Sequence, residues 1–149
     1  MSHQPLRVLF LCTANAARSQ IAEALLRQLS KGRAQVFSAG SVPAADIHPQ
    51  AKAVLEQKFG LDTSALHPKS MNTLAGEHFD FVITVCDKVA ERCPVFPGDP
   101  DRIHRSFEDP LLQPDAEGQR RACEHVANGL AGRLRIWMSL PEVRRRIEG

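Results

Sequence analysis

The sequence predicts an α/β domain: a parallel sheet with helices on both faces. Three observations carry that prediction. Strand-like and helix-like periodicities alternate along the whole chain, the order of a sheet crossed by helices. The strand runs are continuously apolar, as expected of strands buried on both faces. A length of 149 residues suits one domain over 1–149, able to bury about 70% of its unfolded surface.

The elements follow in order. VLFL at 8–11 reads as a strand that stops on Cys12. Ile21, Ala24, Leu25 and Leu29 recur at helical spacing, which predicts a helix over 18–30 with Gly32 just beyond it. QVFS at 35–38 reads as a second strand ending at Gly40. Pro49 suits the first turn of a helix carrying Val54, Leu55 and Phe59, which Gly60 closes. A short helix near 72–77 leads into FDFVITV at 79–85, an apolar strand that ends on Cys86. Pro94, Pro97, Pro100, Pro110 and Pro114 mark a long loop region with a short strand near 103–107. The last helix starts near Asp115 and shows Ala122, Val126, Leu130, Leu134 and Trp137 on one face. Gly129 and Gly132 are expected to interrupt it, and Pro141 to kink or end it. No repeat and no low-complexity stretch interrupts this order.

A net charge of +2 with 24% charged residues gives no electrostatic footprint for nucleic acid. Arg144, Arg145 and Arg146 form a basic cluster that a solvated helix end explains. MSHQPLRV is not a charged-then-apolar leader, and no apolar run approaches a membrane span. The expectation is a cytoplasmic chain that binds neither nucleic acid nor membrane. Cysteines there stay reduced unless a reaction oxidises them, so Cys12, Cys86, Cys93 and Cys123 read as chemistry or core. The histidines show no metal-ligand spacing with one another or with cysteines, so no metal is expected. Cys123 lies on the apolar side of the last helix and reads as core. His48 and His104 read as structural or solvated.

Ligands of parallel sheets bind beyond the carboxyl ends of the strands, and Cys12 and Cys86 both stand at such ends. The stretch CTANAARS, 12–19, has the physical make-up of an anion cradle. Backbone N–H groups of a tight loop, here from Thr13, Ala14, Asn15, Ala16, Ala17, Arg18 and Ser19, followed by a helix start, suit a tetrahedral oxyanion. Arg18 adds a planar fork. Asn15 is the loop residue best able to take a left-handed backbone. The same positive surroundings favour thiolate over thiol at Cys12, and Ser19 can donate to that sulfur. The spacing from Cys12 to Arg18 recurs between Cys86 and Arg92, but there Asp87 and Glu91 are expected to repel an anion and Pro94 blocks a helix start.

CTANAARSQIAE resembles the active-site loop of low-molecular-weight protein tyrosine phosphatases and the arsenate reductases related to them. SFEDP at 106–110 is similar to their Asp-Pro acid loop, and SAG at 38–40, FDFVITVC at 79–86 and the closing helix extend the resemblance almost end to end. It implies a four-stranded parallel sheet in a single-domain three-layer sandwich. It also implies Cys12 as nucleophile, Arg18 as anion ligand, Ser19 and Asn15 as supports, and Asp109 as general acid.

Both activities begin with a Cys12 thiolate attacking a tetrahedral oxyanion. A phosphatase then needs only water. A reductase needs two electrons, and with no cofactor motif in the sequence these must come from thiols. VCDKVAERCPVFPG, 85–98, resembles the Cys-x6-Cys-Pro stretch of thioredoxin-coupled arsenate reductases. The resemblance implies that Cys12 takes arsenate, Cys86 resolves it and Cys93 captures Cys86. The Cys86–Cys93 disulfide is then left for thioredoxin to reduce; glutaredoxin or another small thiol would suit a mixed disulfide. Phosphate and sulfate are expected competitors. Gln20 after Arg-Ser, and a composition without Tyr, favour the reductase over an aryl-phosphate enzyme. The alternative is a low-molecular-weight protein tyrosine phosphatase acting through a phosphocysteine on Cys12. A non-catalytic oxyanion-binding module would not need Asp109 or the cysteine pair.

A helix from 86 to 93 would hold the two Cα atoms about 10 Å apart along its axis, beyond the roughly 7 Å a disulfide spans. The segment is therefore expected to unwind on oxidation. Ala14, Ala17 and Arg105 depart from common family residues. Some relatives hold K+ beside the thiol loop through Asn, Glu, Ser and Asp. Asn15, Glu23 and Ser38 match, but Lys69 stands at the Asp position, so its ammonium is expected to replace the ion.

Overall fold

The computed structural model describes residues 5–87 and 91–148. Strand β1 (Leu6–Cys12) pairs with β2 (Ala34–Gly40) on one side and β3 (Phe81–Thr84) on the other, and β3 pairs with β4 (Asp101–His104). All pairings are parallel and the order is β2-β1-β3-β4. The register sets Cys12 opposite Gly40 and Leu11 opposite Thr84. Cys12 and the residues just after β3 therefore reach the same sheet edge.

Side chains alternate along β1. Leu6, Val8, Phe10 and Cys12 enter one apolar cluster with helices α1 (Arg18–Leu29), α2 (Pro49–Phe59), α3 (Ala116–Met138) and α4 (Pro141–Glu148). Leu9 and Leu11 enter a second cluster with Phe37, Phe79, Val82 and Phe96. In that cluster Phe79 meets Phe37 and Phe96 edge to face at 5.4 and 5.3 Å, the arrangement the ring quadrupoles prefer. The short 3₁₀ helix Met71–Leu74 covers this side, started by Ser70 Oγ accepting from Asn72 N. Burying both faces of β1 accounts for its continuous apolar run.

Helix ends carry the expected signals. His48 caps α2, its Nδ1 accepting from Gln50 N at 3.1 Å, Pro49 follows, and Gly60 ends the helix at φ 64°. Asp115 caps α3 through Gly118 N at 2.7 Å. Asp80 binds Arg7 N and Arg146 with the same carboxylate, at 2.9 and 3.1 Å to Oδ2, which ties α4 to the start of β1.

Several boundaries differ from the sequence reading. β2 runs longer than 35–38, β3 is shorter than 79–85, and β4 lies at Asp101–His104 instead of 103–107. The largest difference is α3, which passes through Gly129 and Gly132 unbroken. A helical glycine costs only about 1 kcal/mol against alanine, which packing easily offsets. Gly129 also has a use: a Cβ there would lie 3.0 Å from Phe107 Cε1, so its absence lets the Phe107 ring seat against the helix. The helix ends at Met138, and Pro141 opens α4 in place of kinking α3. Among the described residues no helix is long and apolar enough to cross a membrane.

Candidate active site

Between Cys12 and Arg18 the chain turns through a loop whose carbonyls are engaged on its outer side. Thr13, Ala14 and Ala16 accept from Val42, Ala44 and His48 N–H at 2.9, 2.9 and 2.8 Å. Asn15 O accepts from Gln20 Nε2 at 3.0 Å and Ala17 O from Ile21 N at 2.9 Å. In a trans peptide the N–H points opposite to the C=O. Carbonyls held outward therefore aim the amides of Ala14, Asn15 and Ala17 inward, and Asn15 N–H lies 3.2 Å from Cys12 Sγ. Asn15 has φ 51°, the left-handed backbone expected of it. No acidic side chain occupies the first turn of α1, so its positive end is free for an anion.

The sulfur is 2% exposed and meets Ser19 Oγ at 2.9 Å. Ser19 Oγ itself accepts from Asn15 Nδ2 at 2.7 Å. With that lone pair used, the Ser19 hydroxyl hydrogen is available to the sulfur. Asn15 is fixed in turn, because its Oδ1 accepts from Lys69 N at 2.8 Å. Gly40 lies against the loop: a Cβ on it would fall 2.4 Å from Thr13 O and 3.0 Å from Asn15 N. Only glycine leaves room for the cradle, a requirement that the sequence alone did not reveal.

Arg18 is buried at the mouth of this hollow and does not point at open solvent. Its Nη1 and Nη2 bind Glu91 Oε2 and Oε1 at 2.7 and 2.9 Å, and Nη1 also donates to Phe107 O at 3.0 Å. Thr13 Oγ1 donates to Glu91 Oε1 at 2.9 Å. Burial works against the charge on Arg18, but the Glu91 hydrogen bond and the nearby Cys12, Glu91 and Asp109 charges outweigh it and raise its pKa. Burial likewise opposes ionisation of Glu91, while the hydrogen bonds from Arg18 and Thr13 hold its pKa below the ordinary value. The Glu91 carboxylate, expected to repel an anion beside Cys86, is held by the Arg18 guanidinium.

Asp109 joins the site from the far side. Its Oδ2 is 3.9 Å from Arg18 Nη2 and its Oδ1 accepts from Leu111 N at 3.0 Å, which starts the 3₁₀ helix Pro110–Leu112. The preceding Phe107 anchors this acid loop against Gly129, with the Arg133 guanidinium 4.9 Å over its ring.

Cys86 and Cys93 form a disulfide, with Cα atoms 5.9 Å apart. That is far short of the separation a straight helix would impose, and Cys86, Asp87 and residues 91–93 are not helical. Residues 88–90, which the sequence reading included in the segment that unwinds, lie outside the described residues. Cys86 belongs to the same apolar cluster as Cys12, and Cys93 packs against it. Cys123 is also in that cluster, with its pKa pushed up to about 12 by burial and the Asp109 charge, which suits core and not catalysis.

Beside the loop, Glu23 is buried and accepts from Ser38 Oγ at 2.7 Å. Arg27 and Lys69 Nζ lie 2.9 and 3.8 Å from its oxygens. Among the described residues no group of three or more His, Cys, Asp or Glu side chains is arranged to hold a metal ion. The site can bind a tetrahedral oxyanion over a nucleophilic sulfur, and it carries a dithiol pair, here oxidised, on the same edge.

Comparison with known proteins agrees with this geometry. Residues 7–138 match the family described as low molecular weight phosphotyrosine protein phosphatase. Arsenate reductase of Bacillus subtilis (strain 168) is 30% identical over 129 residues, 86% of this chain and 91% of that one. The crystal structure of arsenate reductase from Archaeoglobus fulgidus superposes with a TM-score of 0.69 at 28% identity, covering 85% of this chain and 98% of that one. The thioredoxin-dependent arsenate reductase of Corynebacterium glutamicum gives a TM-score of 0.66 at 32% identity, covering 93% of this chain and 63% of that one.

Proposed function

The chain belongs to the low molecular weight phosphotyrosine protein phosphatase family, and we infer that within it the protein is an arsenate reductase driven by thiols. The observation that carries this is the Cys86–Cys93 pair, close enough to bridge and in the same apolar cluster as Cys12. In a phosphatase such a pair could serve only redox protection and would take no part in turnover.

Arsenate lies on the inward amides of residues 13–19, with Arg18 gripping two of its oxygens. The Cys12 thiolate attacks arsenic and one oxygen leaves as water, taking a proton from Asp109. The product is a Cys12–arsenic(V) adduct. The Cys86 thiolate then attacks the Cys12 sulfur. The sulfur–arsenic bond breaks with its electron pair on arsenic, which departs as arsenite, and Cys12 and Cys86 are joined. The Cys93 thiolate attacks Cys86, releasing Cys12 as thiolate and leaving the Cys86–Cys93 disulfide. In sum, arsenate and two thiols give arsenite, water and one disulfide. Thioredoxin, or a comparable dithiol donor such as glutaredoxin, restores the pair by exchange. Phosphate and sulfate compete for the cradle.

A second reading has one observation in its favour. Asp109 lies 3.9 Å from Arg18; acting as acid toward an aryloxide leaving group, it supports slow hydrolysis of small aryl phosphates beside the main reaction. The deciding experiment follows thioredoxin-coupled NADPH consumption with arsenate for wild type, Cys86→Ser and Cys93→Ser. Both variants lose turnover if the relay operates. Turnover equal to wild type in both rejects it, and aryl-phosphate hydrolysis insensitive to either change would then assign the chain to the phosphatases.

A further inference from the structure

The Glu91 carboxylate takes donors that a substrate oxyanion would otherwise meet at the mouth of the cradle. Its two oxygens engage both terminal nitrogens of Arg18, and one of them also takes the Thr13 hydroxyl. The Arg18 side chain is 4% exposed, and Glu91 holds its two terminal nitrogens, leaving the Nε edge as the one the carboxylate does not engage. A planar pair of donors that grips one carboxylate cannot at the same time grip two oxygens of arsenate or phosphate. An incoming oxyanion must either displace Glu91 from these nitrogens or bind the Nε edge against its charge.

Glu91 sits inside the loop that the disulfide closes. Its backbone N–H donates to Asp87 O at 2.9 Å, and Asp87 N–H donates to Glu91 Oε2 at 3.3 Å, so the carboxylate is tethered next to Cys86. Cys93 follows two residues later, and the bridge fixes both ends of the loop. A straight helical path between the same cysteines would separate them by about 10 Å and could not carry the bridge, which therefore sets where this segment lies relative to Cys86.

We propose that Glu91 is a redox-set plug: while the Cys86–Cys93 bridge is closed, its carboxylate holds the terminal nitrogens of Arg18 and its charge opposes an incoming oxyanion until the bridge is reduced. The origin of the bridge rests on the arsenate-reductase reading, but the hold of Glu91 on Arg18 does not. The device has a chemical purpose. Arsenate loaded onto Cys12 while Cys86 is oxidised would form an adduct that no internal thiol can resolve.

The test titrates inorganic phosphate calorimetrically into the full chain, wild type and Glu91→Gln, each bridged and each reduced with dithiothreitol. Loss of the competing charge should make bridged Glu91→Gln bind phosphate at least about tenfold more tightly than bridged wild type, with the two reduced proteins within about twofold of each other. Glu91→Ala, which has no side chain to bridge Arg18, should rank with Glu91→Gln, and near-ultraviolet circular dichroism verifies that each variant is folded. Equal affinity of bridged wild type and both folded variants overturns the plug. Reduced wild type binding as weakly as bridged wild type, with the variants tight in both states, overturns its redox control. Phosphate binding needs no arsenate turnover, so failure of the functional reading would leave this measurement intact.

Discussion

Ser19 holds its hydroxyl 2.9 Å from the Cys12 sulfur while accepting a hydrogen bond from Asn15. The pair is buried, so water cannot take over the contact if it is lost. A hydrogen bond to a charged group is worth about 1.5–3 kcal/mol. Ser19→Ala should therefore slow alkylation of Cys12 by iodoacetamide at neutral pH about tenfold or more, for each 1.4 kcal/mol lost. Mass spectrometry of the Cys12 peptide over time checks this; an unchanged rate would mean that Ser19 only fills space.

Gly40 must remain without a side chain. A Cβ placed 2.4 Å from Thr13 O forces the cradle outward, and displacement of about 1 Å at a reacting centre can reduce rate about a hundredfold. Gly40→Ala should lose that much arsenate turnover and bind phosphate poorly, yet stay folded because the clash is with a loop. Circular dichroism and turnover measured together separate this from unfolding.

We propose that Lys69 stands where relatives hold a cation. Its ammonium is 3.8 Å from the buried Glu23 carboxylate; burial lowers its pKa, opposed by Glu23 and assisted by Arg27. Activity should stay flat as K+ is raised at constant ionic strength. In Lys69→Ala the Glu23 oxygen loses that partner, and K+ should then activate. Strong activation of the wild type would contradict the assignment.

Stability should depend on acid through Asp80. Burial opposes its ionisation, but hydrogen bonds from Arg7 and Arg146 hold its pKa below the ordinary 3.8. A carboxyl depressed in the folded state stabilises above its unfolded pKa, and that contribution is lost as pH falls through the folded value. Asp80→Asn should be less stable than wild type by about 1 kcal/mol at pH 7, with the gap closing below about pH 4. Urea titrations at both pH values measure the gap; a constant difference would show that charge plays no part.

What was legible in the sequence was local. Cys12, Asn15, Arg18 and Ser19 lie within one turn of chain, so residue type and spacing alone predict the left-handed Asn15 and the Ser19–sulfur contact. The pairing of Glu91 with Arg18 was not legible, because it depends on a distant segment meeting the thiol loop, which no spacing rule conveys. Gly40 was missed as a site residue for a similar reason: its role is close approach from a neighbouring strand. Gly129 looked like a breaker because helical propensity is a weak prior, and the Phe107 ring that profits from it lies far away in sequence. The sheet itself was readable because strands buried on both faces leave little ambiguity in their apolar runs.

The backbone hydrogen bonds from Val42, Ala44 and His48 to the thiol loop bear on how the protein is made. Cys12 is synthesised before the clamps that shape its surroundings, which emerge from the ribosome some thirty residues later, and the Lys69 anchor later still. A nascent chain carrying Cys12 and α1 alone has a sulfur without a cradle. Reactivity toward oxyanions is thus withheld from partly synthesised chains and arrives only once those distant segments have closed over the loop.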